Sequence, residues 1–110
     1  MKAKALIKNR EALDNIIQKL ENGQYVSFSE LAQVAYYMYS FGSVHYFVAR
    51  LGNTVYLLWS DGVQRFSSYR ELVWHMCGID KGCQEKIWNY LLAIDTGKAW
   101  REYVSSYEQR

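Results

Sequence analysis

The sequence predicts an α+β fold, a three-stranded antiparallel β-meander at about residues 44–51, 54–59 and 63–66 packed with five helices in the order ααβββααα. Three observations carry this reading. Two S-x-x-E capping boxes, Ser27 with Glu30 and Ser68 with Glu71, mark helix starts ahead of apolar runs. Gly52-Asn53 and Asp61-Gly62 separate runs of β-branched and aromatic residues in the manner of two-residue hairpins. Between these signals the apolar spacing changes from helical to alternating and back again.

The first helix is expected to start near Asn9, a favourable N-cap, with Ala12, Leu13, Ile16, Ile17 and Leu20 on one face, and to end at Gly23. The Ser27–Glu30 box opens the second helix, and Val26 and Leu31 stand at the positions of a hydrophobic staple. Its body from Leu31 to Phe41 is apolar or aromatic nearly all round, with Gly42 as C-cap. Such a helix is either buried on several sides or used as an interface.

Strand alternation from Val44 sorts the meander into two faces. One gathers Val44, Tyr46, Val48, Val55, Leu57, Trp59 and Phe66, the other His45, Phe47, Ala49, Leu51, Tyr56, Leu58 and Arg65. Neither face is polar, whereas a half-exposed sheet has one that is. Either helices cover both faces or one face is a binding surface. Beyond the sheet, the Ser68–Glu71 box opens a short helix with Tyr69, Leu72, Val73 and Met76 on one side, closed by Gly78. Residues 79–83 read as a loop and Gln84 to Ile94 as a helix with Ile87, Leu91 and Ile94 facing inward. Trp100, Tyr103, Val104 and Tyr107 place a last amphipathic helix after Asp95-Thr96-Gly97.

A chain of 110 residues without proline, half of it apolar or aromatic, fits one domain spanning residues 1–110, with a short basic arm at 1–8. The composition excludes a mainly disordered, collagen-like or linker-rich chain. Lys2, Lys4, Lys8 and Arg10 precede the first acidic residue, and because the whole chain sums to +2, the remainder carries −2. That arm is the candidate nucleic-acid contact, although four charges are sparse for a polybasic patch. The apolar run Ala5-Leu6-Ile7 is too short for a signal peptide, and Val34 to Phe41 too short to span a bilayer. These features lead to the expectation of a cytoplasmic protein, away from any membrane, with Cys77 and Cys83 as reduced thiols.

Candidate chemistry is thin. His75, Cys77 and Cys83 lack the paired spacing and fourth ligand of a structural zinc site, so no metal is expected. Cys83, beside Gly82 and near Lys81 at a helix start, is the best nucleophile candidate, but it needs His45 or His75 as a base. Glu30, Glu71 and Asp61 are accounted for by caps and a turn, and the glycines form no phosphate-binding loop. The expectation is therefore a protein that is not an enzyme and carries no cofactor.

The aromatic surplus points elsewhere. Tyr36, Tyr37, Met38, Tyr39 and Phe41 cannot all face one core if they are helical, and Trp74, Trp88 and Tyr90 fall off the inner stripes of their helices. Tyr, Trp and Arg supply most binding hot spots. The expected function is a small protein-binding module, an inhibitor or adaptor that occludes a partner protein stoichiometrically, through Tyr36, Tyr37, Tyr39, Phe47, Tyr56 and Arg65. The partner is another protein or a second copy in a homodimer. The alternative is a nucleic-acid-binding accessory protein, using Lys2, Lys4, Lys8 and Arg10 with an aromatic and arginine sheet face that stacks bases. The chain's length, lack of catalytic signatures and aromatic-rich build resemble the small inhibitors of host defence carried by phages and plasmids, among them anti-CRISPR and anti-restriction proteins. This likeness is one of general build and carries no motif. A nucleic-acid mimic would be strongly acidic, so inhibition by this chain is expected to work through direct protein contact.

Overall fold

The computed structural model describes residues 10–94. Over them the order is α1 (Arg10–Glu21), α2 (Phe28–Val34), β1 (Tyr36–Phe41), β2 (Val44–Leu51), β3 (Thr54–Trp59), β4 (Gly62–Phe66), α3 (Tyr69–Cys77) and α4 (Lys81–Ile94). The strands form one antiparallel sheet in the order β1-β2-β3-β4. The α+β reading holds, with four strands in place of three and four helices among the described residues. The expected fifth helix, around Trp100 to Tyr107, lies outside them, as do Asn9 and the arm residues Lys2, Lys4 and Lys8.

Helices cover both faces of the sheet, which explains why neither face is polar in sequence. Leu13, Ile16, Ile17 and Leu20 of α1, with Leu31 and Val34 of α2, pack on Phe47, Ala49, Tyr56 and Leu58. Tyr69, Leu72 and Val73 of α3, with Trp88 and Leu91 of α4, pack on Val48, Val55, Leu57 and Phe66. The two sets match the predicted alternation of the meander. Trp88, expected off the inner stripe, is instead fully buried, its ring 6.3 Å from that of Tyr69. Fully burying a side chain of this size contributes on the order of 2–3 kcal/mol, and so the inner face of α4 turns toward Trp88.

The main departure is at Tyr36 to Phe41. The second helix begins as predicted: the Ser27 hydroxyl accepts from the Glu30 amide at 3.2 Å, and the Glu30 carboxylate accepts from the Ser27 amide at 3.1 Å. It stops at Val34, however, and Ala35 is already extended. The next six residues are rich in aromatics, which suit a pleated surface, and all but Met38 gain a cross-strand partner from β2. Gly42, expected as a helix cap, lies with Ser43 in a third hairpin turn, at φ +65°.

The β1–β2 ladder is interrupted. Tyr37 pairs with Phe47 but Tyr39 pairs with Tyr46, leaving Met38 as an extra residue. Without this bulge Tyr39 would point to the same face as Tyr37. With it, Tyr39 joins Tyr46 on the α3–α4 side. The last hairpin also differs by one residue: Trp59 pairs with Gly62, so Ser60-Asp61 is the turn, and the faces are unaffected.

Cys77 and Cys83 form a disulfide, Cα atoms 5.5 Å apart, which corrects the expectation of two reduced thiols. Cys77 ends α3 and Cys83 lies in the first turn of α4. Gly78 at φ +58° reverses the chain, and the Asp80 carboxylate accepts from the Cys83 amide at 3.1 Å, so the two helix ends meet within bridging range. Buried Gln84 reinforces the corner by donating its side-chain amide to the Gly78 carbonyl at 2.6 Å. No described helix is long and apolar enough to cross a membrane.

Candidate functional site at the β1–β2 hairpin

The expected partner-binding residues separate into two kinds. Phe47 is fully buried and Tyr56 nearly so, beneath α1 and α2, which removes both from any contact surface. The same helices cover Phe47 and Tyr56 on the sheet face that the alternative, base-stacking reading uses. Arg65 is exposed, but its guanidinium pairs with the Glu21 carboxylate and lies 5.6 Å from the Tyr56 ring. That bond and the Glu21 charge hold the guanidinium pKa above its ordinary value. Arg10 is the exposed first residue of α1 and the only member of the basic arm among the described residues.

Tyr36, Tyr37 and Tyr39 all lie on β1, but the strand and its bulge divide them, Tyr37 on the α2 side and Tyr36 and Tyr39 on the α3–α4 side. On the α2 side, Phe28 and Tyr37 stand edge-on against buried Phe47 at 5.1 and 5.4 Å. His45 completes the group: its ring is 5.1 Å from Phe28, and its Nδ1 is hydrogen-bonded to the Tyr37 hydroxyl at 3.1 Å. Phe28 is 48% exposed and Tyr37 39%, so a rigid core residue supports an aromatic pair open to solvent.

On the α3–α4 side, Tyr36 and Met38 pack against the core and Tyr39 stacks on Tyr46, centroids 5.0 Å apart and planes 17° from parallel. Burial, and next Tyr46, raise the pKa of the Tyr39 hydroxyl. Tyr46 meets Trp59 at 5.5 Å. With Leu57, Gln64, His75 and Met76, these three rings line an open recess of about 310 Å³. Beyond it, at the hairpin tip, the cross-strand partners Phe41 and Val44 are exposed, Phe41 by 74%.

Sequence reasoning missed Phe28, Tyr46, Trp59, Gln64, His75 and Met76 as neighbours of the predicted tyrosines. The available signal was Gly42-Ser43, which, read as a hairpin turn, makes Tyr36 to Phe41 a strand and sets its aromatics against those of β2.

Catalytic candidates fare differently. Cys83 is held in the disulfide, His45 is engaged by Tyr37, and His75 lies against the Phe66 ring at 5.2 Å. Among the described residues no group of three or more His, Cys, Asp or Glu side chains is placed to hold a metal ion. No protein family, curated protein or solved structure was found to match the chain.

Proposed function

We propose that the chain is a protein-binding module whose contact surface is the β1–β2 hairpin with Phe28, acting as an inhibitor or adaptor that occludes its partner stoichiometrically. One observation carries this reading. Of the seven large hydrophobic side chains exposed among the described residues, four belong to this small region: Phe28, Tyr37, Phe41 and Val44. Exposed apolar residues scattered singly need no explanation, but the pairing of Phe28 with Tyr37 on the α2 side and of Phe41 with Val44 at the hairpin tip supports an interaction surface there. The Phe47 root and the Tyr37–His45 hydrogen bond hold the exposed rings in place, which lowers the entropy lost when a partner orders them.

Nucleic acid is less well supported as the partner. Arg65 already pairs with Glu21, and among the described residues the hairpin presents rings without a basic row beside them. The test is affinity capture from nuclease-treated host lysate, comparing the wild type with Phe28→Ala and Tyr37→Ala variants of unchanged fold. A protein retained by the wild type and lost from both variants supports the reading. Retention by all three, or recovery only when nucleic acid is intact, refutes it.

A further inference from the structure

The recess beside the hairpin has its own chemistry. Among the described residues its lining, Tyr39, Tyr46, Leu57, Trp59, Gln64, His75 and Met76, contains no carboxylate, lysine or arginine. An anion entering it would lose hydration without gaining a countercharge, so the lining disfavours an anionic guest. Three aromatic rings and the Met76 thioether offer flat, polarizable surfaces that favour another ring over a branched aliphatic group. Gln64 supplies an amide with both donor and acceptor, and His75 a ring nitrogen, to meet a polar edge on that guest.

Size and shape narrow the choice further. About 310 Å³ lies at the lower end of small-molecule sites, which run from roughly 300 to 1,000 Å³ and enclose most of their ligand. This recess is open on one side, where the bulge sets Tyr39 beside Tyr46 and the exposed Phe41–Val44 pair continues the apolar surface. It can hold one ring while the rest of the bearer lies along the hairpin. We infer that the recess is the anchor pocket for a tyrosine or tryptophan side chain of a partner polypeptide, an inference that rests on the protein-binding reading above.

The test is a chemical-shift titration of the isotopically labelled full chain with N-acetyl-tyrosinamide, N-acetyl-tryptophanamide, N-acetyl-leucinamide and free adenine, repeated on a Gln64→Trp variant that fills the recess. Gln64 is exposed on an edge strand and tolerates the larger ring, and amide signals away from the recess report whether the fold is kept. The expected result is saturable change at Tyr46, Trp59, Gln64 and Met76 with the two aromatic amides. Their binding should be about threefold or more tighter than that of the leucine amide, and lost in the variant. Equal binding of the leucine amide, changes that persist in Gln64→Trp, or changes mapping elsewhere overturn the pocket. Adenine binding tighter than either aromatic amide overturns the polypeptide as its source. If the capture experiment fails while the aromatic amides bind here, the protein-binding reading falls and the pocket chemistry stands.

Discussion

The Trp59 indole lies against the backbone of its cross-strand partner Gly62, so closely that a β-carbon at residue 62 would sit 2.7 Å from Trp59 Cζ2. Gly62 has no positive φ to require glycine. What requires it is the ring. An aromatic laid over a strand glycine compensates for the missing side chain and fixes the neighbouring register. Here it also sets the wall of the recess, since Trp59 meets Tyr46 from that position.

Gly62→Ala is therefore expected to displace the Trp59 ring and cost about 1–2 kcal/mol despite the better intrinsic strand preference of alanine. Urea denaturation measures the loss, and the Trp59 indole resonance reports the displacement. An unchanged indole signal with raised stability would show that the ring does not depend on this contact.

Much of the fold was legible because local signals and global packing agree. Both serines predicted as N-caps accept from the N3 amide, and the alternation of the meander sorts Phe47 with Leu58 and Val48 with Leu57 as the two cores do. The second box differs in one arm, since Glu71 accepts from the Ser67 amide and not from that of Ser68. Tyr36 to Phe41 misled because a run of six with four aromatics has no clear period of its own, and the β2 ladder, a tertiary feature, decides it. That error hid the bulge, and with it the recess. Burial of Phe47 and Tyr56 was equally undetermined by alternation, which names two faces without saying which helix covers either.

Phe47 and Tyr37 are neighbours on the hairpin with opposite roles. Phe47→Ala should cost about 3–5 kcal/mol as a core truncation, enough to threaten folding. Tyr37→Ala should leave stability within about 1 kcal/mol, because the ring is substantially exposed, while weakening partner binding. Denaturant titrations of both variants decide this. A severe loss in Tyr37→Ala would make that residue a core element and remove it from the contact surface.

The bridge between Cys77 and Cys83 closes a short loop, so its stabilisation from chain entropy is modest, about 2 kcal/mol. Adding reductant, or replacing Cys83 with serine, should lower the unfolding free energy by that amount, seen as a lower denaturation midpoint with little change in slope. Both half-cystines should resist alkylation until reduced. Rapid labelling of the untreated protein would contradict the bridge.

Acid sensitivity follows from the caps. A hydrogen bond from the Ser27 amide, ahead of the Lys19 charge, holds the Glu30 carboxylate below its ordinary pKa, and one from the Ser67 amide does the same for Glu71. Each group binds its proton more weakly folded than unfolded. Its contribution is thus complete above the unfolded value of about 4.3 and disappears as pH falls through the lower folded value. Stability measured from pH 7 to pH 2 should fall along that limb, and a Glu30→Gln, Glu71→Gln double variant should flatten it. Ser27→Ala, which removes the reciprocal bond to the Glu30 amide, should cost about 1 kcal/mol at neutral pH. A double variant with an unchanged acid limb would place the sensitivity elsewhere.

The most direct test of the hairpin as a protein-binding surface is the affinity of a captured partner for the wild type and for Phe28→Ala and Tyr37→Ala, each measured at low and high salt. The account predicts a loss of tenfold or more in each variant, about 1.4 kcal/mol, with affinity changing little across the salt range. Affinity untouched by either substitution, or falling steeply with salt as phosphate-dominated binding does, would contradict it.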